Sequence, residues 1–309
     1  MDKLLIIGSS GLVGSKLAAL SAKHGFEAYN TMNRRRTSLP QVKQLDITDR
    51  DATLRLVKEI RPNVIVNAAA ITNVDYCETH RDEARKVNVD GVSNLAEAAS
   101  ENNTRLVQIS TDYVFDGTVG HYTEDDTPRP PDYYAQTKLD SEKIVSKLSS
   151  YVIARPSVIY GWNPPETSGT ASDSVKPMNF AMFVVDKLKK NEMVRAVRDQ
   201  YSSPTFADNL AEALLRLAKH HINGIFHTAG RSCLSRYEFA VKLAGLFGYS
   251  TRLVLPVFSS EFTQVAMRPK NSCLLVEKAE KTLGMSFFTA DEGIMEMRRQ
   301  GASRSVPSG

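Results

Sequence analysis

Four apolar residues that stop at a glycine, Leu4-Leu5-Ile6-Ile7-Gly8, constrain the chain more than any other stretch. An apolar run with no polar alternation reads as a strand buried on both faces, the kind found in parallel α/β sheets. Ser9-Ser10-Gly11-Leu12-Val13-Gly14 follows, and Val13, Leu17 and Leu20 then recur at helical spacing. Gly8 and Gly11 allow a tight turn and a close ligand, and Gly14 allows the helix to lie against the strand. The free N–H groups at the start of that helix make an anion site suited to a pyrophosphate. The spacing G-x-x-G-x-x-G is one residue longer than the usual dinucleotide fingerprint. The turn residues Gly8, Ser10, Gly11, Leu12 and Val13 are therefore candidate cofactor contacts. The alternative is a purely structural strand–helix turn.

Alternation of strand and helix continues. Glu27–Thr31 reads as a second strand, Leu45-Asp46-Ile47 ends a third, and Asp49 caps a helix reaching Ile60. Val64-Ile65-Val66 forms a fourth strand, running into the small residues Asn67-Ala68-Ala69-Ala70. A long helix over residues 81–100 precedes a fifth strand, Leu106–Ile109. This βαβ series predicts an α/β, Rossmann-type doubly wound parallel sheet. The ribose of the adenosine half sits at the end of the second strand in such a sheet. No acidic residue stands there; Asn33 and Arg34-Arg35-Arg36 do. A charge-assisted hydrogen bond contributes about 1.5–3 kcal/mol, so the arginines favour NADPH, with NADH as the alternative. A solvated basic loop is the bland reading.

Strand five ends in Ser110-Thr111-Asp112, and a helix opens behind Pro130-Pro131-Asp132 with Tyr134 and Lys138 one turn apart. A nearby ammonium is expected to lower a phenol's pKa and so make it a better general acid. The rival is a surface Lys138–Glu142 pair with Tyr134 as packing.

Gly8-x-x-Gly11-x-x-Gly14, Asn67-Ala68-Ala69, S-T-D-Y-V-F-D-G at residues 110–117 and Tyr134-x-x-x-Lys138 resemble the extended short-chain dehydrogenase/reductase superfamily. Asn67–Asp75, Val87–Gly91, Ser203–Asp208 and Arg268-Pro269-Lys270-Asn271-Ser272 are similar to its dTDP-4-dehydrorhamnose reductase branch. The resemblance implies NADPH-dependent reduction of the C4 ketone of a nucleotide-linked 4-keto-6-deoxysugar. Tyr134 would protonate the ketone oxygen, Lys138 would tune Tyr134 and hold the nicotinamide ribose, and Thr111 would hydrogen-bond the carbonyl. Asp46 and Ile47 would meet the adenine, and Ala68, Ala69 and Ala70 would line the pyrophosphate and ribose. Thr111, Asp112 and Arg268 would face the sugar nucleotide, although Arg268 reads equally as a buried structural arginine. The same branch holds the regulatory β subunit of methionine adenosyltransferase, whose cofactor loop Arg34-Arg35-Arg36 resembles. It supplies the alternative of a non-catalytic NADP-binding subunit. A homodimer or a methionine adenosyltransferase-like partner is the assembly implied.

Residues 1–160 with about 205–231 are expected to form the cofactor domain, and about 161–204 with 232–300 a smaller interleaved α/β substrate lobe. Residues 162–177, rich in Gly, Pro, Ser and Thr, read as a loop, either a substrate lid or a tolerated insertion. Residues 301–309 read as a disordered tail. The three cysteines, Cys77, Cys233 and Cys273, lie far apart and read as reduced thiols of a cytoplasmic protein. Met1-Asp2-Lys3 leads directly into strand one, with no signal or transit peptide expected. The six histidines show no metal spacing, and a net charge of +4 argues little for nucleic acid. No apolar run reaches the roughly 20 residues of a membrane helix.

Overall fold

The computed structural model describes residues 1–34, 37–163 and 178–304. Its centre is a parallel seven-stranded sheet. β1 (Asp2–Ile7), β2 (Phe26–Met32), β3 (Val42–Gln44), β4 (Val64–Asn67), β5 (Arg105–Ile109), β6 (Tyr151–Arg155) and an edge strand at Gly224–His227 stand in the order edge-6-5-4-1-2-3. The order reverses between β1 and β4, and ligands of doubly wound sheets bind outside the strand ends at that point. Leu4 and Ile6 point into one core, Leu5 and Ile7 into the other, which is why β1 carries no polar residue after Lys3.

Helices α1 (Leu12–Leu20) and α2 (Arg50–Ile60) follow β1 and β3. Asp49 caps α2 by accepting from Ala52 N at 2.9 Å. Gly14 is where α1 meets β1: a Cβ there would stand 2.3 Å from the Gly8 carbonyl oxygen. Gly14→Ala is expected to lower stability by about 1–3 kcal/mol through overpacking against backbone that cannot retreat; urea unfolding midpoints check it.

The third strand stops at Gln44 rather than Ile47. Residues 45–47 turn across the strand ends, where Leu45 N donates to Met32 O at 2.8 Å. The single helix expected over residues 81–100 is three pieces, preceded by a short helix that periodicity did not reveal. α3 (Val74–Thr79) and α4 (Arg81–Arg85) lead through a π turn at Lys86–Asp90 into α5 (Gly91–Glu101). The wide turn buries Asn88, whose amide brackets Ile71 by accepting from its N–H at 2.9 Å and donating to its C=O at 3.1 Å. A π turn inserted in a helix often marks a functional region, and Asn88 also donates to Thr137 on the next helix, at 3.1 Å. That helix, α6 (Tyr133–Val145), ends before the expected Leu148.

A second core lies to one side of the sheet. It is built by β7 (Ile159–Tyr160), α7 (Phe180–Lys189), β8 (Val194–Val197), β9 (Tyr201–Ser202) and β10 (Thr205–Phe206). α8 (Ala207–Lys219) returns to the central sheet, packing Leu210, Leu214 and Leu217 with Leu4 and Ile6, and leads into the edge strand, β11. β12 (Leu234–Ser235), α9 (Arg236–Phe247) and β13 (Val254–Val257) go back to the second core, where Tyr160, Phe206, Phe239 and Leu243 interlock. α10 (Glu277–Leu283) packs on the main core through Leu283, and α11 (Ala290–Arg304) on the second through Ile294 and Met297.

Two sequence expectations change. Residues 301–304 continue α11 rather than starting a tail, because the helix is anchored upstream where the Trp162 indole donates to Met297 O at 2.7 Å; residues 305–309 lie outside the described residues. Cys233 and Cys273 form a disulfide, with Cα atoms 5.5 Å apart across 40 residues of sequence. The segments around them both pair with β9, Leu234 with Ser202 and Asn271 with Tyr201, a tertiary proximity that spacing does not encode. Cys77 is free and buried, and burial pushes its thiol up to about 12. No described helix is long and apolar enough to cross a membrane.

Candidate active site

A cleft of about 410 Å³ opens at the strand ends where the sheet order reverses, between the sheet and the second core. Gly11, Leu12, Val13, Ala68, Ala69 and Ala70 line its first wall. Gly8 turns at φ +80°, and a Cβ there would press within 3.1 Å of Ala69 N. The Ala68–Ala70 crossing is pinned by Asn67, which accepts from Ala69 N at 3.1 Å and donates to the Gln108 amide oxygen at 2.9 Å. No side chain caps α1 and no acid sits in its first turn. Small residues, glycines that exclude a Cβ and a helix start with no side-chain cap together fit the pyrophosphate of a dinucleotide. Gly8 and Ser10 belong to this turn but are not on the cleft wall, and Ser10 is buried.

Asn33, Arg34 and Asp46 meet at the ends of β2 and β3. Burial works to raise the Asp46 pKa, but hydrogen bonds from Thr48 and Asn33 and the Arg34 charge outweigh it and hold the carboxylate low. Asp46 accepts from the Thr48 N–H at 2.9 Å and hydroxyl at 2.8 Å, so it is also the turn residue that the bland reading required. Ile47 faces the core, its Cγ1 2.7 Å from where a Gly91 Cβ would be. Arg35 and Arg36 lie outside the described residues, as does most of the glycine- and proline-rich loop, residues 164–177.

The second wall carries Thr111, Asp112, Tyr134 and Lys138, all nearly buried. Asp132 caps α6 through Ala135 N at 2.8 Å, which sets the helix start so that Tyr134 and Lys138 leave on the cleft side. The Tyr134 and Thr111 hydroxyls are hydrogen-bonded. Thr111 also accepts from Tyr113 N at 3.2 Å, so its capping and cleft roles coexist. Lys138 Nζ donates to Ile109 O at 2.7 Å.

The expected lowering of the Tyr134 pKa is reversed here. Burial pushes the phenol well above its usual value, the Thr111 hydrogen bond opposes this, and the nearby Asp112, Cys77 and Asp132 add to the rise. Lys138 itself falls to about 8 through burial, with the Glu142 charge resisting. Glu142 is no surface partner either. It is buried, accepting from Arg155 Nε at 2.9 Å and Nη2 at 2.7 Å, and from the Ser110 hydroxyl.

Asp112 is enclosed by hydroxyls. Ser157 donates to it at 2.8 Å, Ser272 at 2.5 Å and Thr111 at 3.2 Å; burial nonetheless pushes its pKa up to about 6. Arg268, by contrast, is not on the cleft wall. Its guanidinium pairs with Asp75 at 3.0 Å and donates to Ala266 O at 2.8 Å, the structural alternative of the sequence reading. The cleft instead takes Asn163, Asn179, Phe180 and Arg236 from the second core. These were not legible, since a lone arginine at a helix start carries no motif. Among the described residues no group of three or more His, Cys, Asp or Glu could hold a metal ion.

Comparison with known proteins accords with this geometry. The family model described as RmlD substrate binding domain matches residues 2–302. The dTDP-4-dehydrorhamnose reductase of Aggregatibacter actinomycetemcomitans is 33% identical over 298 residues, covering 92% of this chain and 94% of that protein. Methionine adenosyltransferase 2 subunit beta of Rattus norvegicus is 33% identical over 291 residues, covering 92% and 83%. The crystal structure of dTDP-4-dehydrorhamnose reductase from Bacillus anthracis, in complex with NADP, superposes with a TM-score of 0.84 at 29% identity, covering 97% of this chain and 99% of that one.

Proposed function

Because this chain belongs to the RmlD substrate binding domain family, we propose that its cleft carries out NADPH-dependent reduction of the C4 ketone of a nucleotide-linked 4-keto-6-deoxysugar, dTDP-4-dehydrorhamnose in particular. The observation that carries the reading is the hydrogen-bonded Thr111–Tyr134 pair, set beside Lys138 in the same cleft as the α1 N-terminus. NADPH, when bound, supplies the hydride. The N–H groups of Gly11, Leu12 and Val13 would hold its pyrophosphate, Arg34 would meet a 2′-phosphate, and Lys138 would reach the ribose.

The Tyr134 phenol is protonated at neutral pH, and burial makes it hold that proton more tightly, so the charge building on the ketone oxygen must draw it off. Its proton goes to the ketone oxygen, and the Thr111 hydroxyl supports the same oxygen as charge builds on it. The phenolate left behind is stabilised by the Lys138 ammonium, which carries its charge below about pH 8. Two hydroxyl donors and a buried cation thus converge where negative charge appears and then moves.

The direct test is oxidation of NADPH by the purified protein with dTDP-4-dehydrorhamnose. Turnover is expected, and its absence overturns the reading. The equal identity of the rat subunit beta supplies the second reading, a regulatory subunit: co-purification with a methionine adenosyltransferase, without turnover, would support that one. Cofactor choice is read separately. NADPH is expected to raise the melting temperature more than NADH at equal concentration, the ligand at 100 times its Kd contributing about 2.7 kcal/mol.

A further inference from the structure

Thr111 has a single hydroxyl proton and two neighbours competing for it. Its oxygen accepts from Tyr113 N at 3.2 Å, while its proton is directed at Asp112 Oδ1, 3.2 Å away. The same hydroxyl is hydrogen-bonded to Tyr134 in the sense that lowers the phenol's pKa, which is the sense of a donor toward a phenolate. One proton cannot serve both sides at once. Reduction of a ketone needs it on the Tyr134 side, where charge builds on the substrate oxygen.

Asp112 is 2% exposed, and its second carboxylate oxygen is fully engaged. Oδ2 accepts from Ser157 Oγ at 2.8 Å and from Ser272 Oγ at 2.5 Å. Ser157, between β6 and β7, is itself held by Ser203 N at 3.1 Å. Ser272 lies where the chain crosses back between the two cores, and its own N–H donates to Tyr201 O at 3.0 Å. The two serines therefore fix the carboxyl group with Oδ1 left for Thr111. The phenols nearest to it are Tyr113 on the same turn and Tyr134 on α6. Arg236 of α9, Arg268 and Asp132 act on the first, and Cys77 of α3 and Asp132 on the second, with Lys138 one turn further along α6. Burial brings the Asp112 pKa to about 6, against the opposing serine and threonine donors, so both forms of the carboxyl group occur in ordinary buffers.

We propose that Asp112 is a positioning residue that gates the Thr111 hydroxyl, an assignment that rests on the reductase reading above. Ionised, the carboxylate keeps the Thr111 proton and leaves the ketone to Tyr134 alone. Protonated, Oδ1 donates to the Thr111 oxygen, and the threonine proton turns to the ketone oxygen beside that of Tyr134. No proton passes along this chain; the hydrogen bond between Asp112 and Thr111 reverses direction. Ser157 and Ser272 set the pH of the reversal, because hydroxyl donors favour the carboxylate.

The test is kcat against pH with dTDP-4-dehydrorhamnose for wild type, Asp112→Asn and Ser272→Ala. As pH falls through about 6, wild-type kcat is expected to rise by about 10-fold; outright loss of an oxyanion donor costs more, about 10²- to 10³-fold. Asp112→Asn presents an amide N–H to Thr111 at every pH, so its kcat keeps the higher value and the step disappears. Ser272→Ala leaves Asp112 in place but removes one donor to it, which raises its pKa and moves the step up by about one to two pH units. A purely structural Asp112 would lower stability and kcat evenly without moving a step. The ¹³C resonance of the Asp112 carboxyl group reads the same titration without turnover, and Ser272→Ala alone decides if Asp112→Asn fails to fold. Wild-type turnover with no step, or with a step that persists unmoved in the variants, overturns the gate alone. No wild-type turnover at any pH, with the Asp112 resonance still shifting in Ser272→Ala, overturns the reductase reading and leaves the coupling of carboxyl and serine standing.

Discussion

Tyr134→Phe is expected to lower kcat by about 10²- to 10⁴-fold, the range for removal of a positioned general acid, equivalent to about 2.7–5.5 kcal/mol of barrier. The ring is retained, and with it the packing against Ile71, Val74 and Cys77 in the small apolar cluster under the cleft. The Thr111 hydroxyl keeps Asp112 as acceptor at 3.2 Å, so no buried donor is stranded. Folding stability should therefore move by less than about 1 kcal/mol, near the net value of one hydrogen bond. Steady-state kinetics beside a urea titration separate the two quantities. A variant that turns over at the wild-type rate would remove Tyr134 from the chemistry.

Glu142→Gln should be the most destabilising single change near the site. It leaves Arg155, 1% exposed, with no counter-charge, and breaking a buried pair by removing one partner costs about 3–5 kcal/mol. The same substitution removes the carboxylate that supports the Lys138 charge. The ammonium then loses its proton at lower pH, and the alkaline limb of kcat/KM, expected near pH 8 in the wild type, moves toward neutrality. A purely structural Glu142 would lower stability without moving that limb. Lys138 has its own linkage signature. Its folded pKa, about 8, lies below the unfolded value near 10.5, so the unfolded chain holds more protons between them and this group's contribution to stability rises with pH across that window.

How much of this was legible in the sequence follows from how local each feature is. The first turn was readable because Gly8, Gly11 and Gly14 sit within one strand–turn–helix unit and answer to backbone sterics alone. Strands and the Asp49 cap were readable for the same reason. The π turn around Asn88 was not, since it exists to bring one amide to Ile71 and Thr137, a tertiary requirement that leaves helical periodicity almost intact. Sequence reading grouped Tyr134 with Thr111, whose hydroxyls are hydrogen-bonded in the structure, but it did not give the direction of the phenol's pKa. Spacing reports the ammonium four residues away and says nothing of the burial that outweighs it. Cys233–Cys273 and Arg236 were invisible for a common reason, because each acquires meaning only from a segment many residues distant.

The way the chain threads between its two cores has a mechanical consequence. It leaves the central sheet at β7, comes back with α8, departs again at β12, returns with Leu274 and α10, and crosses a last time into α11. A pair of bodies joined by a single strand can swing like a door. Bodies laced together several times can only slide by small amounts, since every lace must bend at once. The width of the cleft between the two cores is thereby held at several crossings rather than by one hinge. For the same reason a protease nick in any one crossing should leave the two halves associated, with neither released as an independent fragment.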